Sequence, residues 1–249
     1  MEKLIGRCWV RKFKNIYIVG TGKVAQKCQK IANDFFSQEV FFFNTLENPD
    51  AFFNNLKDCL IISANNFYIF KRQCVQNNTI INYHNALLPK HKGSNAHMWT
   101  IWENDKQTGI TWHKVEENID SGAILTQKKI EINEYFTALE LLRTQHNLAI
   151  VSFEEALQNL TNNIFQIQTP SEEYHKKSDL PNKGYLELSW DKEKISRFLR
   201  AMDCGALSEA PKPKLKILGE EKEILFYEAN KFDLILNLSN NTTLKITKE

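Results

Sequence analysis

Four short apolar runs, with stretches of helical character between them, constrain this chain more than any other feature. Asn15–Val19 reads NIYIV and ends at Gly20; Glu39–Phe43, Cys59–Ser63 and Thr79–Tyr83 repeat the pattern. Runs this short, bounded by turn residues, read as buried strands. After Gly20-Thr21-Gly22 the sequence VAQKCQKIANDFF puts Val24, Cys28 and Ile31 on one face of a helix. Strands alternating with helices predict an α/β fold with a parallel sheet. In such sheets ligands bind beyond the carboxyl ends of the strands. The fourth run leads directly into His84-Asn85-Ala86-Leu87-Leu88-Pro89, which makes His84 a strand-end residue on the ligand side.

Further strands are expected around Gly109–His113 and Ile124–Ile132. One long helix follows over Thr137–Leu160, with Leu141, Leu142, Ala149, Phe153 and Leu157 as its apolar face. Thr161–Lys183 is polar, contains Pro170 and Pro181, and reads as a linker. Lys192–Met202 reads as helix, and Leu234–Ile246 alternates apolar and polar residues about Asn240-Asn241, which predicts a β-hairpin.

The 249 residues suffice for one sizeable core plus an appendage. Thirty-two basic and 30 acidic residues leave a net charge of +2 without a basic stripe, which argues against nucleic acid as a partner. The five cysteines, Cys8, Cys28, Cys59, Cys74 and Cys204, form no CxxC pair and are expected to be reduced. No apolar run approaches the ~20 residues that span a bilayer, and the start MEKLIGRCWVRKFK lacks the apolar run of a signal peptide. A soluble, cytoplasmic protein is the expectation.

Asn82 and His84 are alternate residues of one strand and share a face. A carboxamide can donate to a developing oxyanion, and an imidazole can take a proton near neutral pH. Asp120, in Glu117-Asn118-Ile119-Asp120-Ser121-Gly122, is a candidate carboxylate to orient that imidazole. The triple is weak evidence taken alone, because a single His is more commonly a hydrogen-bonded core or surface residue. Gly20-Thr21-Gly22-Lys23-Val24-Ala25 approximates the dinucleotide fingerprint GxGxxA. Its second strand ends at Asn44, where an NAD site wants an acid, so a tight turn is the preferred reading.

Context strengthens the triple. INYHNALLPKHKG, then SNAHMWTIW, TGITWHKV and IDSGAIL, resemble the folate-dependent formyltransferase family in its order of N-x-H, LLP, a basic loop ending in Gly, and D-x-G. The clear match runs over Ser63–Gln127. The resemblance implies a Rossmann-like, mainly parallel sheet flanked by helices. It implies a catalytic domain over residues 1–165 and a C-terminal helix and β-hairpin subdomain over 166–249. It also implies catalytic roles for Asn82, His84 and Asp120, with N10-formyltetrahydrofolate as formyl donor and no metal required. The family binds the pterin between two segments that correspond here to Ala64–Ile69 and Val115–Asp120, with Asn66, Phe67, Tyr68, Ile69, Glu117 and Ile119 as contacts. Lys90, Lys92, Gly93 and Ser94 of the basic loop, with His97 and Trp99 on the helix after it, are the expected acceptor-binding residues.

The residues after Leu160 lack the basic excess expected of a transfer-RNA formyltransferase and outlast a glycinamide ribonucleotide formyltransferase. A helix and terminal hairpin resemble the sugar N-formyltransferases, in which that hairpin commonly builds a dimer. The implied acceptor is a nucleotide-linked amino sugar, favoured as dTDP-4-amino-4,6-dideoxyglucose, destined for surface polysaccharide. The alternatives are a formyltetrahydrofolate hydrolase, formylation of another amine such as an aminoacyl group, and a non-enzymatic dinucleotide-binding module.

Overall fold

A computed structural model describes residues 13–43, 49–205, 210–229, 233–239 and 241–247. Cys8, Asn44 and Asn240, which entered the reading above, lie outside these. The described residues form two compact units. The first takes the chain up to Lys92, Gly109–Lys129 and Gln145–Glu173; the second takes Gly93–Thr108, Ile130–Thr144 and the chain from Tyr174 onward.

The first unit is built on strands β1 (Ile16–Gly20), β2 (Val40–Phe43), β3 (Leu60–Ala64) and β4 (Thr79–His84), followed by β5 (Gln107–Lys114) and β6 (Ile124–Glu131). They form a six-stranded sheet in the order β2-β1-β3-β4-β5-β6. The pairs β1–β2, β1–β3 and β3–β4 are parallel, and β4–β5 is antiparallel. Helix α1 (Gly22–Phe36) and the later turns of α5 (Ala138–Thr161) cover one face. Alternation along the strands decides which residues meet them: Ile16, Ile18, Leu60, Ile62, Ile81, Tyr83, Ile110 and Trp112 share a core with Val24, Ala25, Cys28, Ala149, Phe153 and Leu157. Ile31 is only partly buried at its rim. The other face carries Val19, Ile61 and Ile80 against Phe53 of α2 (Pro49–Asn54) and Cys74 of α3 (Arg72–Asn77). Residues 63, 82, 84 and 113 belong to that second face, because each is an even number of residues from Ile61 or Ile80, or odd from Trp112.

The Gly20-Thr21-Gly22 stretch is a closed turn. A Cβ on Gly20, at φ 150°, would stand 1.8 Å from the Ala64 carbonyl oxygen. The Thr21 amide donates to Asn65 O at 3.0 Å, and Asn65 Nδ2 donates back to Thr21 O at 3.3 Å. The first amide of this turn is therefore occupied by a neighbouring loop.

In the second unit, α4 (Ala96–Trp102) and α6 (Lys192–Met202) sit in a core with a four-stranded sheet, in the order β10-β9-β8-β7. Its strands are β7 (Lys214–Ile217), β8 (Glu220–Ala229), β9 (Asp233–Leu238) and β10 (Thr243–Thr247). Asp191 caps α6 by accepting from Lys194 N at 2.8 Å. The expected hairpin is present as β9–β10, but β7 and β8 extend it to four strands. Their turn is Leu218-Gly219, with φ 50° and 85°, and Lys and Glu face each other across it, as in Lys216 opposite Glu221. That charged surface hid the apolar alternation. The units do not divide at residue 165: Met98 and Ala138 pack with Phe198, and Ile101 and Leu141 with Ala201. Apolar contact groups the segments 93–108 and 130–144 with the C-terminal residues. The described cysteines, Cys28, Cys59, Cys74 and Cys204, are buried, and no disulfide joins them to one another. Among the described residues, no helix is long and apolar enough to cross a membrane.

Candidate active site

Three neighbouring strands of the first unit place Ser63, Asn82 and His113 side by side: Ser63 pairs with Asn82, and Asn82 with His113. Their side chains connect along this row. Ser63 Oγ lies 2.6 Å from Asn82 Oδ1, and Asn82 Nδ2 lies 3.2 Å from His113 Nε2. His113 Nδ1 donates to the Lys114 carbonyl at 2.8 Å.

One pleat further along β4, His84 is 4% exposed. Its Nε2 lies 2.9 Å from the His91 carbonyl, and its Nδ1 is 3.4 Å from Asp120 Oδ2. The other Asp120 oxygen, Oδ1, is 3.3 Å from His113 Nε2. Burial pushes the His84 pKa below the ordinary imidazole value, and the Asp120 charge works against that shift. Both ring nitrogens face oxygens. The cationic ring satisfies both contacts but carries buried charge; the neutral ring removes the charge but leaves one lone pair against an oxygen. The two forms are thereby brought close in energy, which suits a group that exchanges a proton.

The loops that bring these groups together are braced by backbone bonds. Asp120 sits at φ 52°, a left-handed conformation that Asp tolerates. Gln168 Nε2 holds the carbonyls of Asp120 and Gly122 at 3.1 and 2.6 Å. A Cβ on Gly122 would stand 2.0 Å from the Lys114 carbonyl oxygen, so the DSG turn needs its glycine. Between His84 and His91, Thr111 Oγ1 donates to Ala86 O at 2.7 Å, and Gln145 Nε2 donates to Asn85 O at 2.7 Å. Glu173 accepts from the His91 amide at 2.8 Å and lies 3.0 Å from His91 Nδ1.

The expected triple Asn82, His84 and Asp120 is therefore brought together, and Ser63 and His113 join it. Of the segment expected to hold a pterin, Phe67 and Ile69 are 64% and 61% exposed, while Tyr68 turns inward, stacks on Phe53 and donates to Asp50 Oδ1 at 2.6 Å. Asn66 donates to Ser63 Oγ at 3.2 Å. Glu117 is held by Gln76 and Arg72 at the surface, and Ile119 is exposed. Lys90 is exposed, whereas Lys92 is buried and donates to Ser171 O at 3.0 Å.

The remaining expected acceptor residues belong to the second unit. Gly93 and Ser94 lie along the backbone of His175, and Ser94 N donates to its carbonyl at 2.8 Å. Trp99 stacks on the His175 ring at 4.2 Å. His97 is buried, 3.8 Å from Cys204 Sγ. A cavity of about 490 Å³ in this unit is lined by Asp105, Lys106, Glu134, Lys192 and Arg200 among others, and by none of the expected site residues.

His113 could have been found in the sequence: it lies in the TGITWHKV strand, two residues from Thr111 and on the same face. Ser63, Gln168 and Glu173 gave no such signal, since strand register and loop return alone bring them to the site.

The chain matches the formyl transferase family model over residues 25–157. GDP-perosamine N-formyltransferase from Brucella melitensis is 34% identical over 122 residues, covering 49% of this chain and 47% of that protein. The chain thus spans about half the length of the curated relative it matches. Among solved structures, a sugar N-formyltransferase from Shewanella sp. superposes with a TM-score of 0.69 at 24% identity, covering 87% of this chain and 99% of that one. An N-formyltransferase from Helicobacter canadensis, in complex with folinic acid and dTDP-3-aminofucose, superposes at 0.66 and 18% identity, covering 94% and 99%. At these identities the two structures establish a shared fold.

Proposed function

The chain belongs to the formyl transferase family, and on that premise we propose that it moves a formyl group from N10-formyltetrahydrofolate to the amine of a nucleotide-linked amino sugar. The favoured acceptor is dTDP-4-amino-4,6-dideoxyglucose, destined for surface polysaccharide, with the enzyme acting in the cytoplasm. The observation that carries the reading is the convergence of Asn82, His84 and Asp120 at the end of β4.

Each group has a task set by its chemistry. As the amine nitrogen bonds to the formyl carbon, the carbonyl oxygen becomes negative, and Asn82 Nδ2 donates to it. The His84–Asp120 pair takes the proton that the amine sheds. It returns a proton to the departing N10 nitrogen as the carbon–nitrogen bond breaks. The segment of residues 66–69, with Phe67 and Ile69 exposed, supplies an apolar wall that suits a pterin. Lys90, which is exposed, is assigned the task of attracting a phosphorylated acceptor. The GDP-perosamine enzyme and the dTDP-3-aminofucose complex support a sugar-nucleotide acceptor. The same reading includes a homodimer through the C-terminal hairpin of residues 234–246, strands β9 and β10.

The test is incubation with N10-formyltetrahydrofolate and a panel of GDP- and dTDP-linked amino sugars, followed by mass. Gain of one formyl group by one sugar establishes the reaction; folate consumption without a formylated sugar points to hydrolysis. His84→Ala should abolish transfer and leave folate binding intact. Substantial turnover in that variant removes His84 from its role. Sedimentation of the intact chain tests the dimer.

A further inference from the structure

We infer that Ser63 and His113 are positioning residues that decide which way the Asn82 carboxamide faces. The inference rests on the formyl-transfer reading only for its catalytic consequence; the orientation itself follows from counting protons. The count begins at a donor that cannot be reversed: the Tyr68 backbone N–H donates to Asn66 Oδ1 at 3.1 Å. That fixes Asn66 Nδ2 on the other side, where it donates to Tyr68 O at 3.1 Å and to Ser63 Oγ at 3.2 Å. Ser63 Oγ thus receives a proton from Asn66 and directs its own toward Asn82, 2.6 Å away. A separation of 2.6 Å suits O–H···O and is short for N–H···O, so the Asn82 atom there is the acceptor, Oδ1.

The opposite end of the row agrees with that orientation in one tautomer of His113. The Lys114 carbonyl can only accept, so His113 Nδ1, 2.8 Å from it, carries a proton. Its Nε2 lies 3.2 Å from Asn82 and 3.3 Å from Asp120 Oδ1; in the tautomer with the single proton on Nδ1, Nε2 presents a lone pair and the Asn82 atom against it is the donor, Nδ2. Reversing the carboxamide would set acceptor against acceptor at His113 and leave the Ser63 proton without its oxygen. One Asn82 N–H is held by His113, and the second is left to meet an oxyanion. Asp120 Oδ1, 3.3 Å from His113 Nε2, is the charged group facing that ring.

The orientation can be tested without any substrate. Imidazole nitrogen shifts of the ¹⁵N-histidine-labelled chain at neutral pH should report His113 as neutral with its proton on Nδ1. A proton on Nε2 overturns the inference. Kinetics test the consequence: Ser63→Ala and His113→Leu should each lower kcat by about tenfold and leave the KM for the folate donor within about twofold. Ser63→Thr and His113→Gln, which keep a hydroxyl donor and an amide acceptor, should recover most of that loss. Wild-type kcat in both disruptive variants, shown to be folded by their melting curves, rejects the positioning role. If the wild-type chain formylates no acceptor, the functional reading fails, and the nitrogen shifts still decide the orientation.

Discussion

Nδ1 of His84 lies 3.4 Å from Oδ2 of Asp120, both side chains being almost wholly buried. Burial holds the His84 pKa below the ordinary 6.5 despite that carboxylate. As the proton acceptor, His84 acts neutral, so the acid limb of kcat/KM should fall below pH 6.5. The stability sign follows by linkage: the unfolded chain binds this proton more readily, so His84 favours the fold above pH 6.5 and loses that contribution as pH falls toward its folded pKa. Unfolding free energy of His84→Gln should therefore depend less on pH across this window. An unchanged slope would mean that another group governs it.

Asn82→Ala should lower kcat by about 10²–10³-fold, the usual effect of losing one oriented oxyanion donor. Melting temperature should change little, since Asn82 is only half buried. Single-turnover formation of formylated sugar, measured by mass, checks this; a change confined to KM would place Asn82 in ground-state binding.

Asp120→Asn keeps the shape of the turn but removes the charge that raises the His84 pKa. The acid limb should move to still lower pH while kcat drops by at least about tenfold, because the amide cannot stabilise imidazolium. A pH–rate profile beside that of the wild type decides it.

Gly20→Ala places a methyl group 1.8 Å from the Ala64 carbonyl oxygen at φ 150°. The fold must shift where β1 meets β3, at a cost of about 1–3 kcal/mol. Denaturant titration should show this; a neutral result would mean that the turn opens easily and would revive the dinucleotide alternative.

Phe153→Ala empties a fully buried site between α5 and Trp112, whose ring centroid lies 4.7 Å away. The expected destabilisation is about 3–5 kcal/mol, measured by the same titration.

The strands and helices that build the site were legible because their signals are local. The run TIINYH carries its own alternation, and Thr137–Leu160 its own helical face. The hairpin β7–β8 escaped notice because KLKI and EEKEILFYEA present Lys and Glu on the exposed side, and the pairing that makes them strands is a contact between segments.

Local sequence determined the alternating elements, the shared face of Asn82 and His84, and the turn glycines, since each depends on backbone sterics and side-chain period over a few residues. Only tertiary structure decided that Ser63 and His113 flank Asn82, that Asp120 stands between two imidazoles, and that Gln168 and Glu173 return to brace their loops. Those contacts join residues far apart in the chain, and strand order and register, rather than any local propensity, bring them within hydrogen-bonding distance.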